Sequence, residues 1–492
     1  MFLILVISVF MLTFFYTYFH FQYWKRRNVE GPEPTLLFGN ILEQFMGKKH
    51  MGEIFRDIYF NYQDKPVVGV FNGAFPCLLV RDPILMKEIN VASFKHFSEN
   101  DFYVDKKVDP LLGRSPVVLK GEEWKTTRNI LTPCFTSGKM KIIFPLIDHV
   151  GKKMVAFVNR NMNEPIELKE LCTKYTIDNV ASAGFGLEGK CFEEPYSEFR
   201  KLAIGYLTPG TISAIKISLG FLMPFFTKML SMKLVNKDVE DKLIDIVTKT
   251  IKYREENNVV RQDFLHFINQ LRYQTSGKFT YEDVTAQIAA FFLDGYETSS
   301  TVMSFLLFEL ACNQDKQDKL REEILSLSED LTFEMLSEFT YLDACLTESL
   351  RKNPTVFVLR KVCTENYTYT PSEKSGFHYP PLLIEKGTRI IFPIGGLYTD
   401  PKYFEDADKF IPERFLQKSD ENSPYVFKSF GEGPRACLGK RYAQLQIKAG
   451  IYHLIKNFKF SLNEKTQLPI KFHPWHFSAS VVGGLWVNVE PI

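Results

Sequence analysis

The sequence lacks a dominant charge of either sign. Its 60 Lys and Arg residues face 58 Asp and Glu residues, for a formal net charge of +2 with the signs interspersed. Such a surface offers a polyanion no strong field and argues against nucleic acid as a partner. The cysteine pattern of a disulfide scaffold or a zinc site is absent as well. The eight cysteines (Cys77, Cys134, Cys172, Cys191, Cys312, Cys345, Cys363 and Cys437) are scattered with no Cys-x-x-Cys pair, which points to reduced thiols in a cytosolic milieu. No Ser/Gly-rich linker, charge block or internal repeat divides the 492 residues, so residues 41–492 read as one large domain.

A further absence is local. Residues 2–21 contain no Asp, Glu, Lys or Arg, over about the length that spans a bilayer. The segment starts without basic residues and ends in Tyr23-Trp24 followed by Lys25-Arg26-Arg27, unlike a cleavable signal with its small-residue cleavage site. Residues 1–24 therefore read as a single-pass anchor. The basic cluster behind it keeps the rest of the chain on the cytoplasmic side, with Tyr23 and Trp24 at the interface. Residues 25–40 form a basic and Pro/Gly hinge, where Gly31-Pro32-Glu33-Pro34 opposes continuation of the anchor helix.

What the chain has in abundance is apolar material: 45% hydrophobic residues, including 45 Phe. That is enough for an interior holding a sizeable cofactor and an oily ligand. Residues 67–80 read as two short strands around Asn72-Gly73. Residues 122–317 are dominated by helical periodicity, and short β-rich pieces return near 387–393 and 478–489. The fold class expected is mainly α with small β-sheets (α+β). Residues 211–230, apolar but interrupted by Lys216, Gly220 and Pro224, suit either a surface element resting on a membrane or ordinary core.

Two segments carry chemistry. Thr280-x-x-Asp283 resembles a capping box, and the helical pattern behind it runs without proline to about Cys312. Its middle holds Asp294-Gly295-Tyr296-Glu297-Thr298-Ser299, where a glycine and two acids break local rules in a way that suggests a functional site. The second segment, Phe430-Gly431-Glu432-Gly433-Pro434-Arg435-Ala436-Cys437-Leu438-Gly439, sets one thiol among glycines, an arginine and a ring ahead of a helical run from Lys440 to Ile455. Gly433 and Gly439 permit close backbone approach, and peptide N–H groups near the helix start suit a thiolate ligand to a metal.

The pattern Phe-x-x-Gly-x-Arg-x-Cys-x-Gly matches the haem-binding signature of the cytochrome P450 family at every fixed position. Glu348-x-x-Arg351, Pro412-Glu413-Arg414-Phe415 and Trp124-x-x-x-Arg128 follow the family's further motifs in order. The chain thus resembles a microsomal haem-thiolate monooxygenase, similar in wording to the insect detoxication branch. The resemblance implies the cytochrome P450 fold with one N-terminal transmembrane helix, haem b (iron protoporphyrin IX) bound to Cys437 and embraced by Phe430, Gly433 and Gly439, and O2 as co-substrate. It implies that Trp124, Arg128, Arg435 and Arg360 meet the haem propionates, that Glu348, Arg351 and Arg414 form a network holding the loop before the cysteine, and that Glu297 and Thr298 deliver protons while Gly295 leaves room for dioxygen. No nicotinamide or flavin fingerprint appears, so the family analogy implies electrons from a membrane-bound NADPH-cytochrome P450 reductase, with cytochrome b5 a second candidate donor. The implied location is the endoplasmic reticulum membrane, and the implied substrates are lipophilic small molecules, xenobiotic or endogenous (a steroid, hormone or fatty acid).

Asp294 departs from the pattern, which usually carries Ala or Gly there. It is a candidate distal-pocket residue that either bonds to the haem or binds a polar group of the substrate. Tyr398 stands where many members have His and retains a hydroxyl able to donate. Two rival readings are a haem-thiolate isomerase or dehydratase, against which Glu297-Thr298 argues, and a non-catalytic haem sensor, which leaves that pair unexplained.

Overall fold

The computed structural model describes residues 15, 17–207, 229, 231, 233–274, 279–327, 330–416, 427–476 and 478–492. Residues 1–14 and 16 of the expected anchor and nearly all of the apolar stretch 211–230 lie outside the described residues. Among the described residues no single helix is long and apolar enough to cross a membrane.

Among the described residues ten strands occur in chain order: β1 (Val67–Asn72), β2 (Phe75–Val80), β3 (Glu99–Asn100), β4 (Ile166–Glu167), β5 (Leu359–Val362), β6 (Tyr367–Tyr369), β7 (Leu382–Ile384), β8 (Arg389–Phe392), β9 (Phe458–Leu462) and β10 (Trp486–Pro491). They form a five-stranded sheet in the order β1-β2-β8-β5-β3, a three-stranded sheet β4-β10-β9 and the pair β6-β7. The β1–β2 hairpin turns through Gly73–Ala74, with Asn72 paired to Phe75 as the last rung and Gly73 at φ +60°, a backbone angle that glycine adopts without strain. Only the β2–β8 pairing in the larger sheet is parallel.

The helices that frame the site are α1 (Met51–Asn61), α2 (Gly121–Leu131), α3 (Ser137–Asn161), α4 (Leu168–Val180), α5 (Tyr281–Cys312), α6 (Gln314–Ser326), α7 (Thr340–Lys352) and α8 (Lys440–Asn457). Helix α5 is the axis of the molecule. Its start is a capping box: Asp283 N–H donates to Thr280 Oγ1 at 3.3 Å and Thr280 N–H donates to the Asp283 carboxylate at 2.9 Å. Its 32 residues extend about 48 Å. Residues 299–311 are buried on every side, as expected of a helix surrounded by others.

The hinge is less independent than its prolines suggest. Gly69 N–H donates to Glu30 O at 2.8 Å, and a Cβ on Gly31 would fall 1.8 Å from the Gly69 carbonyl oxygen, so the segment lies flush along β1. Trp24, expected at the membrane interface, is instead buried, and its indole N–H donates to Val70 O at 3.0 Å. The reason is packing. Gly69 leaves a gap in β1 that the Trp24 side chain fills, since a Cβ there would lie 2.4 Å from the Trp24 ring.

Candidate active site

Cys437 occupies the turn between Phe430 and α8. Its N–H donates to Phe430 O at 2.8 Å, and Ala436 N–H donates to Gly433 O at 3.0 Å. Gly433, at φ +73°, runs so close to a neighbouring loop that a Cβ would lie 2.0 Å from Asn90 O. Gly439 differs, because a Cβ there would meet nothing within 4 Å; the close approach it permits is to no protein group. Burial pushes the Cys437 thiol up, and the nearby Asp294 carboxyl acts in the same direction. Against them, a hydrogen bond from the Gly439 N–H and the charges of Arg128 and Lys440 favour the thiolate.

Opposite the cysteine, α5 changes character. Buried residues flank it on both sides, yet Leu293, Asp294, Gly295, Glu297 and Thr298 all carry accessible surface. Asp294 and Cys437 are each accessible while enclosed by protein, so both line an internal slot rather than the outer face. Gly295 does not open that slot. A Cβ at Gly295 would meet Val180 Cγ2 at 3.1 Å and Tyr442 Cε1 at 3.7 Å, so its smallness serves the packing of α5 on α4 and α8, not space for dioxygen.

Around the cysteine loop stand three cations that no carboxylate hydrogen-bonds among the described residues. Arg128 on α2 donates to Ala436 O at 2.7 Å. Arg435 donates through Nε to Ser98 O (3.0 Å), through one terminal nitrogen to Pro116 O (2.9 Å) and through the other to Leu119 O (2.9 Å). Three of its five N–H donors are thus engaged and two remain. Burial brings its pKa down to about 10; the Glu99 carboxylate opposes that shift and the like charge of Arg128 adds to it. The Trp124 ring lies under the Arg435 guanidinium at 3.9 Å, a cation–π contact. Trp124 is buried beneath Arg435. Lys361 on β5 is buried with its Nζ 3.5 Å from Phe97 O; burial, followed by the charge of Arg435, lowers its pKa to about 7. Among the described residues no side-chain carboxylate hydrogen-bonds Arg128, Arg435 or Lys361. A cluster of this kind fits a dianionic group beside the cysteine, because enclosed positive charges need a counter-charge. Arg360 sits one position along β5 and faces Asp101 at 3.9 Å, with its guanidinium 5.3 Å from the Phe102 ring centre.

On α5 the acid and the alcohol diverge. Glu297 Oε1 accepts from Lys169 Nζ at 3.1 Å and from Ser478 Oγ at 2.7 Å. Lys169 also donates to Ser300 Oγ (2.7 Å) and Thr301 Oγ1 (2.8 Å). Burial pushes the Glu297 carboxyl up, but the Lys169 charge and the bonds from Ser478 and Lys169 outweigh it, and the net shift is downward. The Thr298 hydroxyl donates to Asp294 O, one turn back, at 2.6 Å. Sequence reasoning missed Lys169, which lies 128 positions from Glu297 in no motif.

The network behind the loop is dense. Glu348 takes two bonds from Arg351, at 2.7 and 2.8 Å. It also accepts from Arg414 Nε at 3.2 Å and from Ile411 N–H at 3.0 Å. Arg351, fully buried, donates onward to Tyr398 O at 2.7 Å and Ala407 O at 3.0 Å. The Tyr398 hydroxyl accepts from Lys428 N–H at 3.2 Å, which carries the network to the segment that leads to Cys437.

A helix-rich body with small sheets, in which one thiol faces an enclosed slot beside cations that no carboxylate hydrogen-bonds among the described residues, fits a protein built around an anionic cofactor held by a cysteine ligand. The family model for "Cytochrome P450" matches residues 29–484, and the chain belongs to that family, in its insect branch. It is 33% identical to Cytochrome P450 6j1 of Blattella germanica over 96% of this chain and 93% of that protein. It is 34% identical to Probable cytochrome P450 6a13 of Drosophila melanogaster over 99% and 98%. Similarity to Cytochrome P450 6A1 of Musca domestica is 30% over 98% and 96%. Family membership makes the protein a haem-dependent monooxygenase, an oxidoreductase that uses O2.

Proposed function

We propose that the protein inserts one oxygen atom of O2 into lipophilic small molecules, with xenobiotics as the main substrate class. Electrons come from a membrane-bound NADPH-cytochrome P450 reductase, with cytochrome b5 as a second donor. The protein sits in the endoplasmic reticulum membrane through residues 1–24, catalytic domain toward the cytoplasm. The observation that carries this reading is the juxtaposition of Cys437, its Gly439 N–H and the Asp294–Thr298 stretch of α5 across one slot. When bound, haem b supplies the one-electron and dioxygen chemistry, and a thiolate ligand donates electron density that favours O–O cleavage.

The chain's own residues do the rest. Cys437 would ligate iron, with the Gly439 N–H and the charges of Arg128 and Lys440 favouring the thiolate against burial and Asp294. Trp124, Arg128 and Arg435 would take the propionates, with Arg360 in support, while Phe430, Gly433 and Gly439 shape the loop that carries Cys437. Glu348, Arg351 and Arg414 keep that loop in place. Thr298 holds a proton on Oγ1, now given to Asp294 O, and rotation of that hydroxyl turns it to the slot. Glu297, kept as a carboxylate by Lys169, accepts and passes protons at Oε1 as a general acid–base group. The test is reconstitution with reductase and NADPH in lipid, followed by a search for oxygenated products across a lipophilic panel. Product that carries label from 18O2 is the expected outcome. A thiolate-type carbonyl spectrum with no product from any member would overturn the monooxygenase reading of this site.

A further inference from the structure

The carboxyl of Asp294 is the one acid on the slot wall for which the protein supplies no answer. Its carbonyl oxygen is used by Thr298, but among the described residues its side chain takes no hydrogen bond and no ion pair. The contrast with Glu297, three residues on, is instructive. That acid has Lys169 and Ser478 against it, whereas burial alone acts on Asp294 and raises its pKa to about 7. The group is nevertheless accessible from the slot. One turn away, Phe291 is buried in the core, packed on Phe264 at 4.1 Å and on Tyr442 at 4.8 Å. A carboxylate in such surroundings is costly unless a positive charge meets it, and a neutral donor leaves its charge uncompensated.

We propose that Asp294 is a specificity-determining residue that receives the cationic nitrogen of lipophilic amines, making such amines the preferred substrate class. The proposal rests on the monooxygenase reading for its meaning as substrate choice, but its test reads binding and is separate from turnover. The ammonium end of the ligand meets the Asp294 carboxylate, and its apolar body lies along the slot.

The test uses the haem-loaded full chain in detergent and equilibrium dialysis. The probes are 4-phenylbutyltrimethylammonium, whose charge is permanent and whose nitrogen cannot ligate iron, and its neutral tert-alkyl isostere. Wild type should bind the cation at least about tenfold more tightly than the isostere, the scale of one charge-assisted contact. Asp294→Asn should reduce that preference to within about threefold with the isostere's affinity little changed, and Asp294→Glu should restore it. A thiolate-type carbonyl band in every variant shows that the haem site is intact. Three results would overturn the proposal: no cation preference in wild type, a preference that survives Asp294→Asn, or haem that resists extraction on acid denaturation because the carboxyl is consumed as an ester. If the cation preference holds while no substrate is oxygenated, the monooxygenase reading fails and the binding assignment stands.

Discussion

At the scale of single residues, the chemistry separates what a short motif can specify from what only folding supplies. Cys437 was legible because its context is contiguous. Ten residues carry the glycines, the arginine and the helix start that a thiolate needs, and Cys437→Ala should abolish the thiolate-type band in the reduced carbonyl difference spectrum and lower the haem-to-protein ratio. Survival of that band would mean another ligand. Lys169 was not legible, because nothing local to it signals that its ammonium will reach Glu297, Ser300 and Thr301 on another helix. Lys169→Met should destabilise the protein by about 1–3 kcal/mol at neutral pH, since a half-buried carboxylate loses its counter-charge. The sign of the pH dependence follows from the downward shift of Glu297. A carboxyl whose folded pKa is depressed contributes stability above its unfolded pKa, near 4.3, and loses it as pH falls through the folded value. The thermal midpoints of wild type and Lys169→Met should therefore lie apart at pH 7 and approach one another below about pH 4. A gap independent of pH would assign the lysine to packing rather than charge. Thr298→Val tests the neighbouring group: NADPH should still be consumed in the reconstituted system, with more of the flux appearing as peroxide and less as oxygenated product.

At the scale of elements, the periodic and capped segments were the readable ones. Helix α5 begins at the capping box, and α8 covers the run behind Cys437, because amphipathic period and cap chemistry are local properties. The hairpin at residues 67–80 was legible from Asn72-Gly73, although the turn itself is Gly73–Ala74. What pattern could not reveal was which elements lean on each other, so Trp24 was assigned to a membrane interface although the gap at Gly69 draws it into the sheet. The same limit applies to Gly295, whose neighbours on α4 and α8 come from distant sequence. The Glu348 cluster shows the energetic weight of such contacts. It ties α7 to the Pro412–Phe415 turn and, through Arg351 and Tyr398, to the segment before Cys437. Glu348→Gln removes the charge that meets a fully buried guanidinium and should cost about 3–5 kcal/mol. Arg351→Lys keeps the charge but loses the two-pronged fit, so it should fall between that variant and wild type. Thermal midpoints and haem-to-protein ratios measured together check the ordering, and haem loss without a change in midpoint would place the network's effect in the loop alone.

At the scale of the whole molecule, the apolar leader of residues 2–21, the basic cluster after it and the absence of a nucleotide fingerprint bear on one question, where the electrons come from. If electrons come from a separate reductase, as proposed above, turnover depends on encounters with that donor. If both proteins sit in one bilayer, those encounters are governed by two-dimensional effective concentration rather than by bulk concentration. Deleting residues 2–21 should leave the thiolate-type carbonyl band unchanged, because Cys437, Arg128, Arg435 and the Glu348 network all lie in the body. It should also turn alkaline-resistant membrane association into association that alkali releases. Turnover with membrane-bound reductase at low concentration should fall by about tenfold and recover as soluble-phase reductase is raised, since only the encounter has been weakened. If the truncated protein keeps full turnover at limiting reductase, docking through the catalytic body suffices and the leader serves location alone. If turnover stays low at saturating reductase while the band persists, the leader is needed to orient the cysteine-side face toward the donor, and its role is geometric rather than one of concentration.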